Sequence, residues 1–508
     1  MLKFSISIIL VLSCVNSFGQ LLFSKDSLLL DVASQQKLLF HYVHPQLVKG
    51  QSKDFNIGEA ELSFQTKLGE YRRAQAAYRQ SIAEFHANGI SQIDSFLISG
   101  QFKFNRIWED SLANSLQGIN DDVSPFYYFV EKPGQYERQN FKGNVQVRYA
   151  GLHPYFQPGL KFDYDMHWTS RSVDPRPNVA SVAIKFNPFI SSQFGTTLVS
   201  AGFIYGYGDE EVNIGYKNRN FSQSLLYPDR IHYTNQGFGY ISQKDSSDMR
   251  KFDQYLGGNL AFSKQEDKYE IYSALRFERK ITNSSFDTKL RTVYKKQSQF
   301  NLQTLNSETL IYLRQTDDRQ HLINLDIIYQ KGKDFNYNLG SANYLVTHAN
   351  VDLNYAYQQK VWTLGWGAGW RSVDKLDAAA AHEHTYQQLK LHVQIRRIFN
   401  IGKNFLETEL IPNYTMSLSN ELTVPSTQVN VFTKSVVYPD FDYFNLEPVG
   451  LDFNIAYVLP KAMKMRGAKV FLRNQFLTVL GEPNKNNLSL QKDKYNLWQA
   501  QIGARFSL

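Results

Sequence analysis

The feature that most constrains this chain is a two-residue alternation of apolar and polar side chains that keeps returning along its length. Successive side chains of a strand point to opposite faces, so the pattern marks ribbons with one apolar side and one wet side. Phe141, Gly143, Val145, Val147 and Tyr149 alternate with Lys142, Asn144, Gln146 and Arg148. Tyr269, Ile271, Leu275 and Phe277 stand against Glu270, Arg276 and Glu278, and Ile323, Leu325, Ile327 and Tyr329 against Asn324, Asp326 and Gln330. The beat continues with Leu389, Leu391, Val393 and Ile395 opposite Lys390, His392, Gln394 and Arg396, then with Leu451, Phe453, Ile455 and Tyr457 opposite Asp452 and Asn454. Such apolar faces must meet either a protein core or lipid.

The segment "VWTLGWGAGW" favours lipid. It sets Trp362, Leu364, Trp366, Ala368 and Trp370 on one face and Thr363, Gly365, Gly367 and Gly369 on the other. Tryptophans gathered on one strand face are costly in water and suit a lipid-facing surface with aromatic belts, while the glycines suit a crowded interior. Composition agrees: the 508 residues are 43% hydrophobic and 14% aromatic, yet the mean hydropathy is only -0.40. A barrel with a polar lumen has that balance, because no long apolar run is needed. A soluble β-sandwich also alternates, but the number of strands and an export signal weigh against it.

That signal reads as Met1-Leu2-Lys3, an apolar stretch from Phe4 to Val15 too short to span a bilayer, and small residues around Ser17-Phe18-Gly19. The expectation is a signal peptide over 1–19, cleaved before Gln20. A lipobox at Val11-Leu12-Ser13-Cys14 competes, with a bulky Leu12 against it. On the first reading the mature chain keeps no cysteine and no disulfide.

Connections complete the architecture. Gln358-Gln359-Lys360, Lys331-Gly332-Lys333-Asp334 and Asn400-Ile401-Gly402-Lys403-Asn404 read as short turns, and Gly208 to Arg250 and Met416 to Phe444 as long loops. Short turns on one side and long loops on the other are the layout of an outer-membrane barrel. The sequence therefore predicts an all-β, antiparallel transmembrane outer-membrane β-barrel of about 16 to 18 strands over 57–508, behind a periplasmic N-terminal segment at 20–56.

The chain ends on "QAQIGARFSL", where Trp498, Ala500, Ile502, Ala504, Phe506 and Leu508 share one face and Gln499, Gln501, Gly503, Arg505 and Ser507 the other. Gln501, Gly503, Phe506 and Leu508 resemble the C-terminal β-signal of outer-membrane proteins read by the barrel-assembly machinery. This implies a last strand presented for assembly and then paired with the first.

The wider sequence resembles an uncharacterised family of outer-membrane β-barrels of Bacteroidota-type bacteria. The resemblance is carried by "GEAELSFQTKLGEYRRAQ" (58–75), "SGQFKFNRIW" (99–108), "SPFYYFVEKPGQYERQNFKGNVQVRY" (124–149) and "DYDMHWTSRSVDPRPNVASVAIKFN" (163–187). It implies residence in the outer membrane of a Gram-negative bacterium and an accessory or partner role beside a TonB-dependent receptor in uptake. It brings no catalytic motif.

Few constellations carry chemistry. His382 and His384, with His392 on the same predicted lumen face, form a candidate metal site; otherwise they are solvated histidines at a loop base. His41 and His44 in "FHYVHP" are a second candidate pair ahead of the first strand. Asp209, Glu210, Glu211 and His232 fall in or beside a long loop, where charge is ordinary, and no G-x-S-x-G, H-E-x-x-H or phosphate-binding loop is present. The reading is non-enzymatic and calls for no cofactor. The formal charge of +8 is spread through alternating faces, which argues against nucleic acid and suits anionic solutes in a lumen or lipopolysaccharide phosphates at a rim. The expected function is solute passage or an accessory part in uptake. The alternative is a structural or secretion-linked partner with a plugged lumen, favoured if a long loop blocks the channel.

Overall fold

The computed structural model describes residues 32–49, 56–119, 121–222, 226–243, 248–287, 294–316, 319–460, 467–479 and 495–507. The expected signal peptide, the lipobox at Cys14 and the terminal Leu508 lie outside the described residues. A helix, α1 (Val32–Val43), precedes the first strand. The chain then runs through β1 (Asn56–Gly69), β2 (Arg79–Ile93), β3 (Phe96–Leu112), β4 (Phe126–Phe129), β5 (Gly134–Tyr149), β6 (Gln157–Arg171) and β7 (Arg176–Phe194). Next come β8 (Thr197–Gly215), β9 (Tyr233–Gln236), β10 (Ile241–Gln243), β11 (Asp248–Gln265), β12 (Tyr269–Asp287), β13 (Tyr294–Thr316) and β14 (Arg319–Asn336). Last are β15 (Tyr344–Gln359), β16 (Trp362–Asp377), β17 (His382–Ile401), β18 (Asn404–Thr423), helix α2 (Tyr438–Asn445), β19 (Pro448–Leu459), β20 (Gly467–Val479) and β21 (Asn496–Ser507).

Eighteen of these strands form one antiparallel sheet, the upper end of the expected range; β4, β9 and β10 form a separate three-stranded sheet. The large sheet closes on itself. Glu59 faces Ser507 and the register runs on to Gly69 against Leu497, so β1 and β21 leave no open edge. Closure satisfies every strand's backbone N–H and C=O without water, the condition for crossing lipid.

The faces sort as the alternation predicts. Trp362, Leu364 and Trp366 are 41%, 51% and 48% exposed on the outside, and Trp498 and Ile502 on the closing strand are 43% and 57% exposed. Thr363, Gly365, Gly367 and Gly369 point inward, where a Cβ on Gly367 would lie 2.5 Å from Asn354 Oδ1 and collide with the His392 ring. These glycines make room for neighbouring lumen side chains.

The turns at 358–361 and 400–404 are as expected, with Lys360 at φ 50° and Gly402 at φ 62°. Other boundaries move. Lys331-Gly332-Lys333-Asp334 is interior to β14; a Cβ on Gly332 would come within 2.5 Å of Phe300 Cζ and 2.7 Å of Val346 Cγ1, so the glycine serves aromatic packing across the strands and makes no turn. Residues 208–215 extend β8 and 416–423 extend β18, which shrinks the two long loops to 216–247 and 424–447. Their charged residues pair across strands, Asp209 with Arg250 at 2.5 Å and Glu210 with Lys251 at 2.8 Å, so polarity there did not signal a loop. We expect Gly332→Val to lower barrel stability by about 1–3 kcal/mol through overpacking. A lower temperature for heat-modified mobility on SDS gels would register it; an unchanged transition would contradict this packing.

Candidate functional site

The candidate site is the lumen, and described parts of the chain pack into it at both ends. At the end carrying the short turns, α1 and the turn Pro45–Leu47 sit inside the wall. Phe40 and Leu47 pack among Ala261, Tyr272, Leu310, Tyr312, Leu322 and Ala356. Leu38, Tyr42 and Val48 pack on Ile57, Ile90 and Leu97, nearly half the circumference away. The described part of the segment expected at 20–56 therefore spans the mouth at 32–48. An apolar face that short could not stay ordered alone; docking on the wall offsets the entropy.

Polar contacts fix its position. Lys37 Nζ lies 2.7 Å from Glu270 and His44 Nε2 lies 2.8 Å from Glu308. Arg148, fully buried, donates to the carbonyls of Gln46 at 2.7 Å and Val48 at 2.5 Å. A buried guanidinium is expensive to leave unpaired, so these carbonyls lock the segment to β5. His41 meets the Tyr272 ring edge-on at 5.0 Å. Burial first, then the nearby Lys37 and His44, push its pKa from 6.5 down to about 3.

Loops close the opposite end. Loops 113–133 and 216–247 supply β4, β9 and β10, and loop 424–447 supplies α2. Tyr127, Phe129, Phe238, Phe432, Val436 and Val437 pack together against Phe300, Tyr344 and Val346 of the wall. Arg73, in the loop after β1, bridges this lid by pairing with Asp440 at 3.0 Å and with Asp122. Burial alone would raise the Asp122 pKa, but the Arg73 guanidinium leaves it below the usual carboxylate range. Asp377 Oδ2 accepts the backbone N–H groups of Phe238 and Tyr240, each at 2.7 Å. With Asp174, whose Oδ2 accepts the Asn218 N–H at 3.0 Å, Asp377 seats loop 216–247.

The histidines belong to that seat. His382 Nδ1 bonds the Phe238 carbonyl at 3.0 Å, and His384 Nε2 bonds Asn420 at 2.8 Å while its ring stacks on Phe238 at 5.7 Å. His392 shares their face, as expected, but lies ten residues beyond His382 on β17, about 33 Å along the strand. The three do not meet, and among the described residues no group of three His, Cys, Asp or Glu side chains is placed to hold a metal. His41 and His44 are likewise spent on Tyr272 and Glu308. His232 bonds the Tyr216 hydroxyl at 2.7 Å in the lid, apart from the Asp209 and Glu210 ion pairs on the wall.

Along the inner wall, Lys280 pairs with Asp253 at 2.9 Å and Arg505 with Glu61 at 2.7 Å across adjacent strands, while Glu407 on β18 takes both Arg396 of neighbouring β17 at 2.9 Å and Lys469 of β20, two strands away, at 2.8 Å. On β21, Gln501 faces Gln65 across the seam, Phe506 faces Ala60, and Gly503 lies where a Cβ would come within 2.8 Å of the Leu62 carbonyl. Beside α1 remains a cavity of about 140 Å³, lined by His44, Gln146, Asn187, Asn259, Asn306 and Glu308 among others.

A family model described as "Family of unknown function (DUF6850)" matches residues 45–506. The chain belongs to this family. Membership of DUF6850 spans the closing turn Pro45–Leu47 and the whole barrel, so the docked segment is in part a family element. No curated protein matches the chain in sequence. Solved structures similar in fold include the copper transporter OprC, at 8% identity and a TM-score of 0.41 over 91% of this chain and 81% of that one. The ferric citrate transporter FecA in its unliganded form gives 11% and 0.41 over 90% and 80%. The ferric yersiniabactin uptake receptor FyuA from Yersinia pestis gives 9% and 0.39 over 91% and 81%.

The sign of the His41 effect is testable. Docked, this imidazole stays neutral down to about pH 3; released, it titrates near 6.5. Docking is therefore complete above 6.5 and weakens as pH falls below it, by up to about tenfold per unit. We expect protease cleavage within 32–49 to increase between pH 7.5 and 5, and His41→Phe to flatten that dependence; equal pH dependence in both proteins would contradict it.

Proposed function

We propose that this DUF6850 chain is a non-enzymatic outer-membrane barrel of a Gram-negative cell that serves solute uptake, shut at rest, with its N-terminal segment as the element that moves to open it. The observation that carries this reading is the docked segment itself: residues 32–48 occupy the mouth, joined to the wall by side-chain contacts that can be broken one by one. A lumen lined with charge on both closures' inner sides would serve no purpose in a solid protein core, where paired ions are rarely better than apolar residues.

In this reading 1–19 is the export signal, and Gln501, Gly503, Phe506 and Leu508 are presented to the barrel-assembly machinery. Lipopolysaccharide surrounds the rim, and a TonB-dependent receptor is the neighbour with which an accessory role would be shared. The packed lid favours a second reading, a structural or secretion-linked partner whose lumen never opens, because β4, β9, β10 and α2 bury an apolar cluster of their own.

Planar-bilayer recording separates the two. We expect the full chain to be nearly silent, and removal of 20–49, or the milder pair Lys37→Glu with Arg148→Ala, to give discrete open steps. Silence in every form, with barrels that still show heat-modified mobility, would leave the plugged-partner reading standing.

A further inference from the structure

The cavity of about 140 Å³ between the docked segment and the wall has a lining rich in primary amides: Gln46, Gln146, Asn187, Asn259 and Asn306. Its charged members already have partners. Lys161 lies 3.5 Å from Asp163, Arg276 lies 2.5 Å from Glu278, and His44 lies 2.8 Å from Glu308. Three of its amides are incompletely paired: the Oδ1 atoms of Asn187, Asn259 and Asn306 are buried without a hydrogen-bond partner among the described residues. Buried amides are normally satisfied, so three such atoms on β7, β11 and β13 around one small space point to a guest.

Gly202 makes the cluster possible. A Cβ there would stand 2.6 Å from Asn187 Oδ1 and against Asn259 Oδ1, so both amides lean over the bare backbone of β8. Phe189, also in the lining, is 5% exposed and adds an aromatic surface beside them.

We infer that this cavity is a binding site for a small neutral polyhydroxylated solute. An ionic guest would have to displace an existing ion pair, whereas a neutral one need not. A hydroxyl both donates and accepts, so it satisfies an amide whichever end the amide turns toward it. The aromatic ring suits the carbon side of such a molecule. The volume equals the liquid share of about four or five waters, which admits a polyol of about three or four carbons while α1 is docked. The inference names a solute class for the uptake reading and rests on that reading only for the solute's fate, since binding is measured without transport.

The test is saturation-transfer NMR on the full chain in micelles, with glycerol and erythritol as probes and succinate and glycine as ionic controls. We expect a saturable erythritol signal that weakens roughly tenfold in Asn259→Leu and Asn306→Leu, the loss of about one hydrogen bond each. If a leucine variant fails to close its barrel, Asn306→Ala replaces it. No saturable polyol signal, an equal signal in the variants, or a preference for succinate or glycine would overturn the site and leave water as its occupant. Polyol binding by the full chain without flux in liposome swelling by the form lacking 20–49 supports the site and removes the uptake reading; flux through that form with no polyol binding by the full chain does the reverse.

Discussion

Everything in this molecule depends on the seam between β1 and β21. Lipid offers no hydrogen bonds, so a sheet that crosses it must pair every backbone donor and acceptor internally, and only closure does so. The seam runs in register from Glu59 against Ser507 to Gly69 against Leu497 and is tightened inside by Arg505, which reaches Glu61 at 2.7 Å. Closure in turn creates an inside. Once the outer faces are given to Trp362, Leu364, Ile502 and their like, the other half of every strand must be filled with water, ions or protein.

This chain fills it in three ways. Paired charges line the inner wall, as at Glu407 between Arg396 and Lys469. The mouth at the long-loop end takes an aromatic lid hung on Asp377 and Arg73. The mouth at the short-turn end takes a short helix hung on Glu270, Glu308 and Arg148. The two closures differ physically. The lid has a hydrophobic cluster and its own small sheet, so it is nearly a second core; α1 has little beyond its contacts with the wall and is the closure with less to lose on moving.

What was legible in the sequence follows from which rule governed each residue. Strands, their outer faces and the closing role of Trp498 to Phe506 were readable because lipid enforces a strict period of two. The lid and the docked helix were not, because their apolar residues, such as Phe126–Phe129 and Phe40, carry no period and pack on lumen residues far away in sequence. Polarity misled in the same region: Asp209 and Glu210 looked like loop residues yet lie on β8, Glu210 on its inward face beside Lys251 and Asp209 on its outward face beside Arg250. Gly332 looked like a turn because a glycine that makes room for Phe300 is indistinguishable in sequence from one that bends the chain. His382, His384 and His392 did share a face, but alternation says nothing of distance along a strand or of the loop that takes the first two as partners.

The central claim is that the N-terminal segment is seated within the lumen. The most direct measurement is crosslinking in the membrane by a short bifunctional maleimide, with Cys14→Ser as background and Lys37→Cys paired with Glu270→Cys, two positions whose native side chains meet at their tips at 2.7 Å and so leave a gap between backbones that such a linker spans. The account predicts an intramolecular crosslink that is absent when Lys37→Cys is paired with the outward-facing Leu364→Cys. No crosslink at 37 and 270 in a folded barrel, or equal crosslinking in both pairs, would contradict it.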